Sequence, residues 1–329
     1  PNTVIDIDVI TKKDEKDIAW GIENEVDYFA ISFVQNARDM RRARSLLNGY
    51  RGKLIAKIEK FDAVANIDEI IEASDGLMVA RGDLGIEVPY YDVPTIQKML
   101  IKKANLKGIP VITATQMLLS MTQNERATRA EISDVANAVL DGTDVVMLSE
   151  ESAVGEDPVN VVDTMHNIIA KTEGIYDYDK QYKMSYLDEF DVIQATVTKL
   201  ADDLGADGIL ALTSSGKSAV KMSRYRPKTP IYTFTHKKKV LNSLTAIWGI
   251  EPVAVIKEAQ ASKMFQKMLK NLDQKGILNR KGIYVATVGY PVGMPGSTNT
   301  IKILTPSEIE YYFNFEANRK KEKEEKKSK

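Results

Sequence analysis

Residues 55–89 read IAKIEKFDAVANIDEIIEASDGLMVARGDLGIEVP, in which two short apolar runs, IAKIE and GLMVA, flank a helix-length segment. Each run is apolar at successive positions rather than at alternating ones. This pattern is typical of parallel strands that are covered on both faces. The segment therefore predicts a βαβ unit, which is the building block of parallel sheets.

The same alternation continues on both sides of this segment. Strands are predicted at residues 26–33, 53–59, 76–83, 110–117 and 144–151. Helices are predicted at residues 37–47, 63–73, 92–106, 128–140 and 159–171. Repeated βα units favour a TIM (β/α) barrel, which requires eight strands, whereas five strong ones are present here. We therefore expect residues 1–172 to form the C-terminal part of a catalytic barrel.

A second domain is predicted after a polar stretch at residues 172–187. Its helices are expected at residues 192–204, 218–225, 237–248 and 259–275. Its strands are expected at residues 208–213, 230–235, 251–256, 282–288 and 300–304. This alternation indicates a smaller open-sheet α/β domain over residues 173–315. Residues 316–329 are nearly all charged, which predicts a disordered tail.

The composition excludes several function classes. There are 45 Lys+Arg and 46 Asp+Glu residues, so the net charge of -1 gives no bulk positive field for nucleic acid or a membrane surface. With no cysteine and two histidines, thiolate metal sites, thiol nucleophiles and most triad chemistry are excluded. No signal peptide or membrane-length apolar run is present. We expect a cytoplasmic protein without nucleic-acid or membrane partners.

Polar residues recur at positions i and i+2 where three predicted strands end. The pairs are Lys57 with Glu59, Arg81 with Asp83, and Thr113 with Thr115. A period of two puts both members of a pair on one strand face, so all three pairs are expected to face one shared space. Charged groups at the carboxyl ends of parallel strands are typical of a barrel active site.

These side chains favour metal-assisted chemistry on a small anionic substrate. The Glu59 and Asp83 carboxylates are ligands of the kind that Mg²⁺ or Mn²⁺ prefers. The Lys57 ammonium can neutralise a phosphoryl group or an enolate beside such a cation. The alternative is structural: Lys57 and Glu59 form an ion pair, and Asp83 caps the next helix.

Three stretches together resemble the pyruvate kinase family: residues 55–89, PVITATQMLLSM at 110–121, and ATRAEISDVANAVLDGTDVVMLSEESAVGEDP at 127–158. The similarity covers residues 1 to about 304. It implies a TIM-barrel enzyme that transfers the phosphoryl group of phosphoenolpyruvate to ADP, giving pyruvate and ATP at the last step of glycolysis. It further implies Mg²⁺ or Mn²⁺, often K⁺, and a homotetramer.

The resemblance also implies residue roles. Lys57 and Thr115 are similar to the catalytic residues, and Glu59 and Asp83 to the metal ligands. The substrate-binding segment corresponds to Ala80, Arg81, Gly82 and Asp83, together with Thr115. The chain departs from the family pattern at Lys60, at Ala127 and at residues 149–152, none of which belongs to this set.

The beginning of the chain resembles the stretch that follows the family's lid domain. We therefore expect the first third of a family member, with three barrel strands and the lid, to be absent from these 329 residues. Two unpaired strand edges would then be exposed. On this expectation the chain alone is inactive.

A hydroxyl-rich loop in the second domain is predicted to hold a phosphate. It consists of Thr213, Ser214, Ser215, Gly216, Lys217 and Ser218, between a strand and a helix. Ala211 stands where a Walker motif has its first glycine, so the P-loop pattern fails. In the family the corresponding loop binds a phosphorylated allosteric effector, and residues 289–298 resemble the loop that closes over it. The alternative is an ordinary Ser/Gly turn with a helix cap.

Three functions are compatible with these patterns. The first is pyruvate kinase, regulated through its C-terminal domain. The second is a truncated, non-catalytic relative that binds an effector and associates with other subunits. The third is another enolate-forming barrel enzyme such as an aldolase, which would leave the second domain unexplained.

Overall fold

The computed structural model describes residues 9–179, 184–258, 260–289 and 298–315. The chain divides into two compact units, Pro1–Asp177 and Tyr178–Lys329. The predicted tail, residues 316–329, lies outside the described residues. So does most of the predicted closing loop, residues 290–297.

The first unit contains a parallel sheet with the strand order β1-β2-β3-β4-β5. The strands are β1 Tyr28–Ile31, β2 Lys53–Ile58, β3 Gly76–Ala80, β4 Val111–Ala114 and β5 Val145–Met147. The helices are α1 Lys12–Glu23, α2 Ala37–Leu46, α3 Phe61–Ala65, α4 Ile67–Ala73, α5 Arg81–Glu87, α6 Val93–Lys107, α7 Arg129–Asp141, α8 Glu150–Ala153 and α9 Pro158–Glu173. In the described residues the sheet is open, with β1 and β5 at its edges.

Helices cover one face of this sheet. Ile58, Val79 and Thr113 lie side by side in register on that face. The two apolar residues of this row belong to a buried cluster that includes Met40 of α2 and Leu100 of α6. Thr113 is fully buried, and its hydroxyl donates to Thr143 Oγ1. The main core of the unit is therefore on this face.

The opposite face carries the row of Lys57, Met78 and Ile112. Ile55, Met78 and Ala114 form a small buried cluster there. Lys57 lies level with Met78 in this row, close to the carboxyl ends of the strands.

The second unit contains a sheet with the order β10-β9-β6-β7-β8, in which only the β10–β9 pair is antiparallel among the described strands. The strands are β6 Gly208–Thr213, β7 Ile231–Thr235, β8 Ile250–Val255, β9 Tyr284–Gly289 and β10 Thr298–Leu304. The helices are α10 Glu189–Asp203, α11 Lys217–Arg224, α12 Lys238–Asn242, α13 Ala261–Gln274 and α14 Pro306–Phe313. None of the helices in the described residues is long and apolar enough to cross a membrane.

The predicted α/β class is confirmed, and several predicted boundaries are wrong. Strand β3 ends at Ala80 rather than at residue 83, and β4 ends at Ala114 rather than at residue 117. The helix predicted at residues 237–248 is only the five residues of α12. The first two corrections matter for function, because they change where Arg81, Asp83 and Thr115 lie.

Candidate active site

Lys57 lies near the carboxyl end of β2, on the face that does not carry the main core. Its ammonium donates to Ser32 Oγ at 2.9 Å and lies 2.7 Å from Glu59 Oε1. Its side chain keeps one quarter of its surface exposed. The ammonium is therefore fixed by two contacts, on a side chain that is still partly exposed.

Glu59 follows directly after β2, and its side chain is almost completely buried. Its Oε2 accepts a hydrogen bond of 2.6 Å from the Phe33 amide. Burial of a carboxylate is costly unless it is paired and hydrogen-bonded, and Lys57 and this amide supply both. The ion pair of the structural alternative is thus present, but it also holds both groups at the predicted site.

The backbone of Phe33, whose amide donates this hydrogen bond, is left-handed, with φ 56. A bulky residue rarely adopts this conformation, which costs on the order of 1–3 kcal/mol and occurs preferentially at functional sites. Ser32 and Phe33 were both missed by sequence reasoning. The polar Ser32 immediately after β1 was the available signal.

Arg81 and Asp83 do not form a pair on a strand face, contrary to the prediction. Both lie in the first turn of α5, for which Ala80 is the N-cap. Asp83 is exposed, and its carboxylate has no hydrogen bond or ion pair with the residues that the structure describes. A negative charge in the first turn of a helix is stabilised by the helix dipole, and the exposed Asp83 carboxylate is accessible to a cation.

Thr115 lies just beyond the end of strand β4, and its side chain is hydrogen-bonded to the backbone of Gly82. The Gly82 amide donates to Thr115 Oγ1 at 2.8 Å, and Thr115 Oγ1 donates to Ala114 O at 2.6 Å. Thr115 and Gln116 are left-handed, with φ 70 and 52. The predicted partner Thr113 faces the helices instead, because its register is that of Val79. The site therefore contains Thr115 without Thr113.

The guanidinium of Arg81 is engaged within the protein. It donates to Ala114 O at 3.2 Å and to Thr115 O at 2.7 Å, and it pairs with Asp134 of α7 at 2.7 Å. A substrate-binding role for residues 80–83 stays a prediction. At Arg81 the backbone amide would have this role, because the guanidinium is hydrogen-bonded within the protein.

The donor set fits a hard divalent cation. Glu59 and Asp83 supply carboxylate oxygens at the ends of adjacent strands, and Mg²⁺ usually takes one or two carboxylates and completes its shell with water and substrate. No cluster of three or more His, Cys, Asp or Glu residues suited to a metal occurs in the described ranges. The candidate protein ligands at this edge of the sheet are Glu59 and Asp83, and their assignment stays a prediction.

The predicted phosphate loop of the second unit lies between β6 and α11. Thr213 ends the strand, and its Oγ1 accepts a 3.0 Å hydrogen bond from the Gly216 amide. Gly216 has φ 85, which is accessible to glycine without steric cost, and α11 begins at Lys217. The six loop residues are therefore contiguous at one strand end, while effector binding stays a prediction.

Comparison with known proteins identifies the family. The family model for the pyruvate kinase barrel domain matches residues 1–162, and that for the pyruvate kinase alpha/beta domain matches residues 191–304. This chain belongs to the pyruvate kinase family.

Curated relatives agree with this assignment. Pyruvate kinase from Geobacillus stearothermophilus is 43% identical over 316 residues, which are 94% of this chain and 54% of that protein. Pyruvate kinase from Lactobacillus delbrueckii subsp. bulgaricus is 42% identical, with 92% of this chain and 53% of that protein covered. The Clostridium acetobutylicum pyruvate kinase is 41% identical, over 92% of this chain and 66% of that protein. The chain thus spans about half to two thirds of the length of these relatives.

The chain departs from the family pattern at Ala127, in the segment Ala127–Glu131, but the start of helix α7 is intact. Thr128 is the N-cap of α7, and Glu131 completes its capping box. Glu131 also accepts hydrogen bonds from the amide and the hydroxyl of Ser120. Burial alone would raise the pKa of Glu131, but hydrogen bonds from Ser120 and then Thr128 outweigh it, so its pKa lies below the ordinary value of 4.5.

We expect Glu131→Gln to destabilise the protein by about 1 kcal/mol at pH 7, because a charged hydrogen-bond acceptor is lost. A depressed folded-state pKa gives stability that is fully present above 4.5 and lost as the pH falls through the folded value. The difference between wild type and variant in urea unfolding should therefore shrink between pH 7 and pH 3.

The exposed Glu125 of the preceding loop provides the matched control. Glu125→Gln should leave the unfolding free energy unchanged at both pH values. An effect of Glu131→Gln that is equal at pH 7 and pH 3 would contradict this account of the charge.

Proposed function

We propose that the complete protein containing this chain is a pyruvate kinase that transfers the phosphoryl group of phosphoenolpyruvate to ADP. The observation that carries the proposal is the position of Lys57, Glu59 and the Gly82–Thr115 pair at the carboxyl ends of adjacent strands, with Asp83 in the helix turn that follows β3. Membership of the pyruvate kinase family supports it. Because the chain spans about half the length of the first relatives, ADP contacts are expected to come partly from elsewhere in the protein.

Each residue has a distinct task in this proposal. Lys57 neutralises charge on the transferred phosphoryl group and on the enolate, since its ammonium is fixed and partly exposed. Glu59 and Asp83 would hold Mg²⁺ or Mn²⁺, which when bound would neutralise phosphoryl oxygens. K⁺ is proposed as a second cofactor on family grounds alone.

Proton delivery to the enolate is proposed to occur beside Thr115. The Gly82 amide donates into Oγ1, so the hydroxyl hydrogen has one defined direction, toward Ala114 O. A hydroxyl held in one orientation can position the methylene carbon or a proton carrier, because it does not have to change rotamer before the reaction. Residues 80–83 at the start of α5 would bind the substrate carboxylate through backbone amides other than that of Gly82, which donates to Thr115 Oγ1.

The second unit is proposed to bind a phosphorylated effector at the loop of residues 213–218. The left-handed Gly216 ahead of α11, and the hydroxyl-bearing Ser214 and Ser215 that precede it, support this. Self-association, as a homotetramer, and a cytoplasmic location complete the proposal. Nucleic acid and membranes are not proposed as partners.

We expect Lys57→Met to lower kcat of the complete protein by roughly 10²–10³-fold, because transition-state charge loses its fixed counter-ion. Lys53 lies on the same face at the other end of β2 and is exposed. Lys53→Met should therefore change kcat by less than about twofold. Pyruvate release coupled to lactate dehydrogenase measures both.

Wild-type protein that releases no pyruvate would favour the non-catalytic alternative. Equal kcat values for Lys57→Met and wild type would contradict the catalytic assignment. Neither result decides whether the second unit binds an effector, which is tested separately.

We expect Lys217→Glu to abolish the response of the complete protein to its effector, because a negative charge replaces a cation at the phosphate loop. The probes are fructose 1,6-bisphosphate, ribose 5-phosphate and AMP, each titrated by calorimetry. Lys270→Glu, on the exposed side of α13, makes the same charge change away from the loop. A probe that binds Lys217→Glu as tightly as it binds Lys270→Glu would contradict the site.

A further inference from the structure

Arg81 spans three elements although it lies in the first turn of α5. Its guanidinium reaches the last residue of β4, the residue after it, and the side chain of Asp134 on α7. The Arg81 side chain is nine-tenths buried, and Asp134 is 36% exposed. Because so little of this side chain is exposed, it cannot move to contact a ligand. Its hydrogen bonds are therefore part of the folded structure.

The two carbonyls that Arg81 contacts belong to the two peptide planes that flank Thr115. Nε donates to Ala114 O at 3.2 Å, and Nη2 donates to Thr115 O at 2.7 Å. The φ and ψ angles of a residue are set by the orientations of its two peptide planes. Arg81 therefore holds both backbone dihedrals of Thr115.

Thr115 needs such a constraint. A β-branched residue with φ 70 is a conformational outlier, and left-handed Gln116 follows it without a glycine. Conformations of this kind persist only where the surrounding structure over-determines them. The same conformation directs Thr115 Oγ1 to the Gly82 amide.

Arg81 is itself held in place from the opposite side. Its Nη1 donates to Asp134 Oδ1 at 2.7 Å and to Gln97 Oε1 at 3.3 Å. Gln97 is buried and donates in turn to Asp141 of α7. The planar guanidinium can serve β4 and α7 simultaneously, whereas a lysine ammonium cannot reproduce that fork.

We propose that Arg81 is a positioning residue, which holds the strained Thr115 turn so that its hydroxyl meets the reacting carbon. Asp134 and Gln97 orient Arg81 in this arrangement. The catalytic part of the inference rests on the proposed function, whereas the structural part does not. Arg81 thus acts through Thr115 rather than by touching substrate with its side chain.

The test compares Arg81→Lys with Arg44→Lys in the complete protein. Arg44 pairs with Asp75 on the surface and provides the matched control. Arg81→Lys should lower kcat about 10–100-fold with KM changed less than about threefold, because misplacement of a reacting group affects the chemical step. Arg44→Lys should change neither. Asp134→Asn, which only loosens Arg81, should lower kcat by a smaller factor.

Hydrogen exchange of the Gly82 amide gives a readout that does not depend on activity. This amide lies in the first turn of α5, where it has no intrahelical partner, and it donates to Thr115 Oγ1. Arg81→Lys should accelerate its exchange about fivefold or more, since relaxation of the turn breaks this hydrogen bond. Amides of β2 should exchange as in wild type.

Gln116→Gly supplies a rescue, because glycine adopts the left-handed conformation without the steric cost. In the Arg81→Lys background it should recover at least about fivefold in kcat and restore slow Gly82 exchange. Lowered kcat with fast Gly82 exchange, both reversed by Gln116→Gly, supports the proposal.

Unchanged Gly82 exchange in Arg81→Lys would overturn the proposal, and so would fast exchange with normal kcat. If wild type itself makes no pyruvate, the proposed function fails and the catalytic part fails with it. The exchange measurement then still decides whether Arg81 holds the turn.

Discussion

The in-register parallel pairing of β2, β3 and β4 is the constraint on which the site depends. It places Lys57 beside Met78 and Ile112 on one face, and Ile58 beside Val79 and Thr113 on the other. The second row faces the main helical core, so its members are buried whatever their polarity. Only residues of the first row, and those just beyond the strand ends, can reach a ligand. The topology thus selects the functional side chains from a larger set of polar candidates.

Electrostatics at this edge follows from the burial of one carboxylate. Glu59 is removed from water, and it is stabilised there by the Lys57 ammonium and the Phe33 amide. Phe33 itself adopts a strained left-handed conformation. Thr115 is strained likewise on the other side of the site. Local backbone strain at two strand ends is therefore offset by hydrogen bonds that organise the polar groups.

Sequence reasoning reached the strands and the principal charged residues because apolar runs and their polar ends are local signals. It placed Lys57 and Glu59 correctly at the end of one strand, since β2 extends to Ile58 and Glu59 follows directly after it. It failed for Arg81 and Asp83 as a strand pair, because α5 already begins at Arg81; the alternative, in which Asp83 lies at the start of the next helix, is nearer to the structure. It failed for Thr113 because a face is defined by register with neighbouring strands, which a single segment does not contain. The bonds of Arg81 to Asp134, 53 positions away, were beyond any local pattern.

Binding of Mn²⁺ to the complete protein tests the central claim most directly, since the account makes Glu59 and Asp83 the protein ligands of one divalent cation. Free Mn²⁺ is measured by electron paramagnetic resonance during titration of wild type, Asp83→Asn and Asp68→Asn. Asp68 lies on α4 and pairs with Lys103, so its variant removes the same charge from an outer helix. The account predicts that Asp83→Asn weakens Mn²⁺ binding at least about tenfold, as expected for the loss of a ligand, while Asp68→Asn leaves it unchanged. Equal affinity of wild type and Asp83→Asn for Mn²⁺ would contradict it.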